Sequence, residues 1–172
     1  MDESPRRRFL LGEVLRFVRS ARRCPGVTRI SLVGSLATAK ANPKDADVLV
    51  TVADNADLTP LATAGRRLKG RAQGQSAGAD IFLASPVGKY IGRICSWREC
   101  RPFIRVACDA AHCGARAFLH DDLQVVTLDS KLIAAPPIDL WPTVTRRAEV
   151  PADVESLLLR ALENEHSTEI AF

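Results

Sequence analysis

Eight residues, Asp45 to Val52, read Asp-Ala-Asp-Val-Leu-Val-Thr-Val. Apolar and β-branched residues dominate the run after its first turn of charge, which is the composition of a strand. Side chains two apart on a strand share a face, so the carboxylates of Asp45 and Asp47 project from the same side. A second short apolar stretch, residues 79–83, carries a lone Asp80. If that strand lies alongside the first, its carboxylate comes within roughly 5 Å of a neighbour. Three carboxylates held that closely do not all ionise cheaply unless a cation sits among them. Hard oxygen donors with open positions favour Mg²⁺ or Mn²⁺, which keep waters and accept phosphate oxygens. Two such ions about 3.5–4 Å apart clamp the attacking and leaving oxygens of an in-line phosphoryl displacement.

Upstream, residues 28–33 read as a buried strand closed by Gly34-Ser35. Glycine lets the backbone approach a phosphate closely, and the following amides and the Ser35 hydroxyl can donate to it. An anion cradle and a carboxylate cluster then bracket one triphosphate. Ile30-Ser31-Leu32-Val33-Gly34-Ser35, a nine-residue gap and Asp45-Ala46-Asp47-Val48 resemble the signature of the DNA polymerase β nucleotidyltransferase superfamily. The likeness is closest to the minimal nucleotidyltransferases and covers residues 27–84, with Asp80 matching the family's third carboxylate. It implies that Gly34 and Ser35 hold the β- and γ-phosphates and that Asp45 and Asp47 ligate both metals. By the same resemblance Asp80 ligates the catalytic metal and helps deprotonate the acceptor hydroxyl. Leu36-Ala37 departs from the pattern that often follows Gly-Ser, leaving Lys40 and Lys44 as the nearest cations to the nucleotide. The long C-terminal helical domain with which antibiotic-modifying relatives bind acceptors has no counterpart in the sequence.

Around this core the chain alternates elements. Ser4-Pro5 offers an N-cap hydroxyl and a preset φ for a helix over residues 4–23, with Leu10, Val14, Phe17 and Val18 on one face. Arg6, Arg16, Arg19 and Arg23 are left for its wet side. Residues 36–41 suit one or two helical turns, 58–71 a helix, 86–93 another helix, and 154–162 a final short one. Short strands are expected near Phe118 and Val125, and the prolines Pro136, Pro137 and Pro142 mark an extended crossing.

With 172 residues the chain is of single-domain size. No run approaches the ~20 apolar residues of a membrane span. Arg6-Arg7-Arg8-Phe9-Leu10 looks like a twin-arginine export signal, but Glu13, Arg16 and Arg19 interrupt the apolar region that should follow. The net charge of +4 is uneven: +5 over residues 1–30, −2 over 31–59, +7 over 60–120 and −6 over 121–172. The first and third blocks would attract phosphates or nucleic acid, and solvated helix faces of varying sign are the plainer account.

Five cysteines, an odd number, without a secretion signal argue for a reducing, cytoplasmic setting. Cys95 and Cys100 are separated by four residues, as are Cys108 and Cys113, with His112 beside the last. These can assemble a structural Zn²⁺ site with His112 as a substitute ligand, or be ordinary buried thiols. Trp97, Arg98, Arg101, Phe103 and Arg105 interleave with them in a pattern that also occurs in single-strand binders. His120, beside Asp121 and Asp122, reads as polar surface, and Trp141 as packing.

The expected fold is α/β (α+β): a small mixed twisted sheet, nucleotidyltransferase-like, with helices packed on one face and a Cys-rich extension. Residues 1–92 would form the nucleotidyltransferase-like core, and 93–172 a Cys-rich subdomain and C-terminal extension of the same compact unit. The expected activity is metal-dependent transfer of a nucleoside monophosphate from an NTP to a hydroxyl of a protein, an RNA end or a small molecule. The alternative is an inactive, zinc-stabilised module on the same fold that binds nucleic acid or protein. The acidic triad discriminates for the enzyme, and the basic cluster of residues 93–116 for the module.

Overall fold

The computed structural model describes residues 4–95, 117–120, 128, 138–147 and 149–170. Its centre is a seven-stranded mixed sheet in the order β5-β4-β3-β2-β1-β6-β7. The strands are β1 (Val27–Val33), β2 (Asp45–Val52), β3 (Gly78–Ala84), β4 (Tyr90–Ile94), β5 (Leu119–His120), β6 (Ile138–Trp141) and β7 (Thr145–Arg146). Neighbours run antiparallel except β2 and β3, which are parallel and joined by the crossover helix α2 (Thr59–Gly74). A parallel pair needs such a crossover, and the helix it supplies covers the sheet.

Period-two alternation sorts the strand residues between two faces. Ala46, Val48, Val50 and Val52 of β2 are at most 1 % exposed and join Ile30, Leu32, Ile81 and Leu83 in the main core. Helix α1 (Pro5–Ala21) adds Leu10, Leu11, Val14, Phe17, Val18 and Ala21 to it, an apolar stripe at helical spacing. α2 adds Leu61, Ala62, Leu68 and Ala72, and at Gly65 it comes so near β3 that a Cβ would lie 3.0 Å from Ile81. The C-terminal helical run, α3 (Ala152–Val154), a π-helical turn (Glu155–Leu159) and α4 (Arg160–Ile170), closes the core with Val154, Leu158, Leu159 and Leu162. The opposite face holds a smaller cluster of Val33, Leu49, Phe82, Ala84 and Tyr90, with Leu128 against it.

Four local expectations change. Residues 86–93 are no helix: Ser85 and Lys89 close a turn through Gly88 at φ 80°, and β4 returns antiparallel to β3. Residues 36–41 give only a 3₁₀ turn, Ser35–Ala37. Ser4 makes no side-chain cap; its hydroxyl lies 3.4 Å from Asn42 Oδ1 while its carbonyl accepts the Arg8 amide. Beyond Pro137 the expected extended crossing becomes a strand of the sheet, β6, paired with β1. Val125, Pro136 and Pro137 lie outside the described residues. Strands from both halves of the sequence join in one sheet, with β4 and β5 on one side of the centre and β6 and β7 on the other. Among the described residues no helix is long and apolar enough to cross a membrane.

Candidate active site

The register aligns the three aspartates. β1 sets Val33 opposite Asp47, and the parallel pair sets Asp45 beside Gly78 and Asp47 beside Asp80. All three carboxylates therefore stand on the face away from the helices, two of them on adjacent strands in one row.

Glycine lies against the carboxylates at two points, and at the first the backbone requires it. Gly34 has φ 71° and ψ −162°, a backbone that side chains rarely adopt. A Cβ there would also collide with the Asp47 carboxylate, so the turn after β1 lies directly against that group. Gly78 gives the Asp45 carboxylate the same clearance. The turn is closed by Ala37 and Thr38 amides on the Gly34 and Ser35 carbonyls, each at 3.2 Å. The Ser35 hydroxyl makes no hydrogen bond among the described residues. Lys40 and Lys44 are exposed on the following loop, and neither ammonium forms an ion pair among the described residues.

Burial pushes the Asp47 carboxyl up to about 7, and the charges of Asp80 and Asp45 add to the shift. Asp80 is offset differently. Lys69 Nζ, from α2, lies 3.2 Å from its Oδ1, and Arg93 Nη1, from β4, lies 3.6 Å from the same oxygen. Among the described residues no three His, Cys, Asp or Glu side chains are gathered tightly enough to enclose a metal ion as they stand.

Three further residues contribute to the site or to the loop beside it. Lys69 lies on the expected helix α2, and only the packing of that helix on β3 brings it to Asp80. Arg93 belongs to the hairpin, where Tyr90-Ile91-Gly92-Arg93-Ile94 alternates as a strand and sets Arg93 opposite Phe82. Arg7, one of three consecutive arginines at the start of α1, is buried. All five of its N–H donors are used. Nε and Nη2 donate to the two oxygens of Asp153, Nη1 to the carbonyls of Thr38 and Lys40 at 2.9 and 2.8 Å, and Nη2 also to Leu36 O at 3.4 Å. The loop that follows Gly34-Ser35 is thus fastened to the start of the C-terminal helix. No short-range pattern reveals a partner 146 residues away.

Of the cysteine cluster only Cys95 lies within the described residues. It is buried at the end of β4, and its Sγ accepts from Arg66 Nη2 at 3.0 Å, with Arg66 also stacked over Phe118. Cys100, Cys108, His112 and Cys113 lie outside, as do Trp97, Arg98, Arg101, Phe103 and Arg105. His120 sits opposite Arg93 on β5. Trp141, at the end of β6, packs partly buried against the main core.

No family model matches the chain, and neither a curated protein nor a solved structure is significantly similar to it.

Proposed function

We propose that the chain is a metal-dependent nucleotidyltransferase, moving a nucleoside monophosphate from an NTP to a hydroxyl acceptor with release of pyrophosphate. The observation that carries this reading is the row Gly34, Asp47, Asp80, in which a side-chain-free turn abuts one carboxylate and the register delivers a second beside it. The donor chemistry suits a hard divalent cation: Asp45 and Asp47 offer carboxylate oxygens on one face, and burial, with the neighbouring Asp80 and Asp45 charges, raises the Asp47 carboxyl. Asp45, Asp47 and Asp80 would hold a Mg²⁺ or Mn²⁺, which would supply charge neutralisation to the phosphates.

The protein's own groups do the rest. The Gly34-Ser35 backbone lets the β- and γ-phosphates come close, the Ser35 hydroxyl donates to them, and Lys40 and Lys44 lie within the same loop. The acceptor oxygen forms a bond to the α-phosphorus, the bond from that phosphorus to the bridging oxygen breaks, and pyrophosphate leaves. Asp80 takes the hydroxyl proton, held in position by Lys69 and Arg93. Chemistry of this kind is mostly positioning and charge stabilisation, which a rigid sheet provides well.

A second reading, a fold of this type that binds nucleotide without transferring it, is favoured by the same ion pairs, because they offset the Asp80 charge without a metal. Calorimetric titration of each NTP with Mg²⁺ or Mn²⁺, wild type against Asp45→Asn/Asp47→Asn, tests the site. Metal-dependent binding should weaken at least about tenfold in the variant, or ~1.4 kcal/mol. Folded wild type that binds no NTP would sink both readings. Binding without any release of pyrophosphate, whatever acceptor is added, would leave only the second.

A further inference from the structure

On the triad's face, two strands away, Asp139 of β6 is only 5 % exposed yet ionisable. Its Oδ1 accepts from Ser31 Oγ at 2.8 Å and Arg29 Nε at 3.1 Å. Its Oδ2 accepts from Arg29 Nη2 at 2.9 Å and from Arg147 Nε at 3.1 Å. The carboxylate is therefore saturated, and two guanidinium groups are locked in orientation around it. One carboxylate and two guanidiniums leave a net positive charge.

The contrast with Arg7 is informative. Arg7 spends every donor inside the protein, whereas Arg29 spends two of its five N–H groups and Arg147 one. Seven donors stay without a partner among the described residues, on side chains 29 % and 40 % exposed. A single bidentate arginine with Ser31 already nearly satisfies Asp139. The second guanidinium adds little to burial and much to local charge. Fixed guanidinium edges with spare N–H pairs match the oxygens of a phosphate bidentately.

We propose that Arg29 and Arg147, oriented by Asp139, form an anion subsite for a phosphate group, separate from the nucleotide cradle. Ser31 is opposite Asp139 and Val33 opposite Asp47, so the subsite lies roughly 12 Å from Asp47, by strand spacing and rise. From Gly34 the subsite at Asp139, opposite Ser31, is roughly 11 Å away by the same spacing and rise, on the adjacent strand rather than in the turn that seats the triphosphate. The phosphate it takes is thus one borne by the acceptor, either a phosphodiester of a nucleic-acid strand or the phosphate of a small molecule. That role rests on the nucleotidyltransferase reading, while the subsite itself does not.

The test follows the side-chain ¹H–¹⁵N signals of Arg29 and Arg147 during titration with inorganic phosphate at constant ionic strength. Both should shift saturably, and Arg147→Gln should weaken phosphate binding about tenfold or more, with Arg29→Lys as a second variant that keeps charge but loses the fork. Melting curves confirm that each variant is folded. Asp45→Asn/Asp47→Asn should bind phosphate as wild type does, even though it loses NTP. A single-stranded oligonucleotide binding more tightly than glycerol phosphate, with the same sensitivity to Arg147→Gln, assigns the phosphodiester source; the reverse order assigns the small molecule. Shifts reproduced by chloride alone, or full phosphate affinity in folded Arg147→Gln, would overturn the subsite. Phosphate binding in a wild type that binds no NTP would keep the subsite and remove its acceptor role.

Discussion

At Gly34 a single methyl group meets two obstacles, a φ of 71° and the carboxylate of Asp47. Gly34→Ala is expected to lower stability by about 1–3 kcal/mol, the usual cost of holding a side chain in such backbone. It should also weaken NTP binding, because the turn must withdraw from Asp47. Gly70 provides the opposite case. It sits exposed inside α2 with nothing within 4 Å of an added Cβ, so Gly70→Ala should raise stability by about 0.5–1 kcal/mol. Urea denaturation of the two variants checks the pair; shifts of the same sign would refute the local account of Gly34.

Between elements, the Arg7–Asp153 pair joins α1, the loop after Gly34 and α3. Asp153→Asn leaves Arg7 buried without its counter-charge and should cost about 3–5 kcal/mol. The hydrogen bonds from Arg7 hold the Asp153 carboxyl below its ordinary value of 3.8. A lowered native pKa gives stability that is complete above the unfolded value and is lost as pH falls through the lower native one. Denaturation midpoints of wild type should therefore fall as pH drops below about 4, and those of Asp153→Asn should fall less over that window. Equal slopes would show that the pair does not govern acid stability. Such pairs mark the boundary of what the sequence makes legible. β2 and β3 announce themselves because local alternation and charge both point to strands, and with them came Asp45, Asp47 and Asp80 on one face. The hairpin over 86–93 was obscured by Pro86, which suits a helix start, while Gly88 and the alternation after it decided for a turn and strand. Arg7 with Asp153, and Arg29 with Asp139, are joined only by the topology, across 146 and 110 residues.

For the molecule as a whole, the sheet's central strands β1, β2 and β3 carry the aspartates and Gly34, and the C-terminal helical run seals the core behind them. Val154, Leu158, Leu159 and Leu162 are all at most 3 % exposed. Burying each contributes roughly 2 kcal/mol, so about 8 kcal/mol leaves with them, as large as the whole stability of many domains. A chain ending at Pro151 also leaves Arg7 without Asp153, and should show no cooperative melting by circular dichroism. A chain ending at Ser167 tests the other side of the same argument. It loses the pair of Arg22 with the exposed Glu169, worth about 1 kcal/mol, while Arg22 keeps Glu165 at 3.4 Å. This shorter chain should melt cooperatively within a few degrees of the full one. Retained folding in the first truncation would mean that the sheet and α1 and α2 suffice, and that the C-terminal run is an addition to the core.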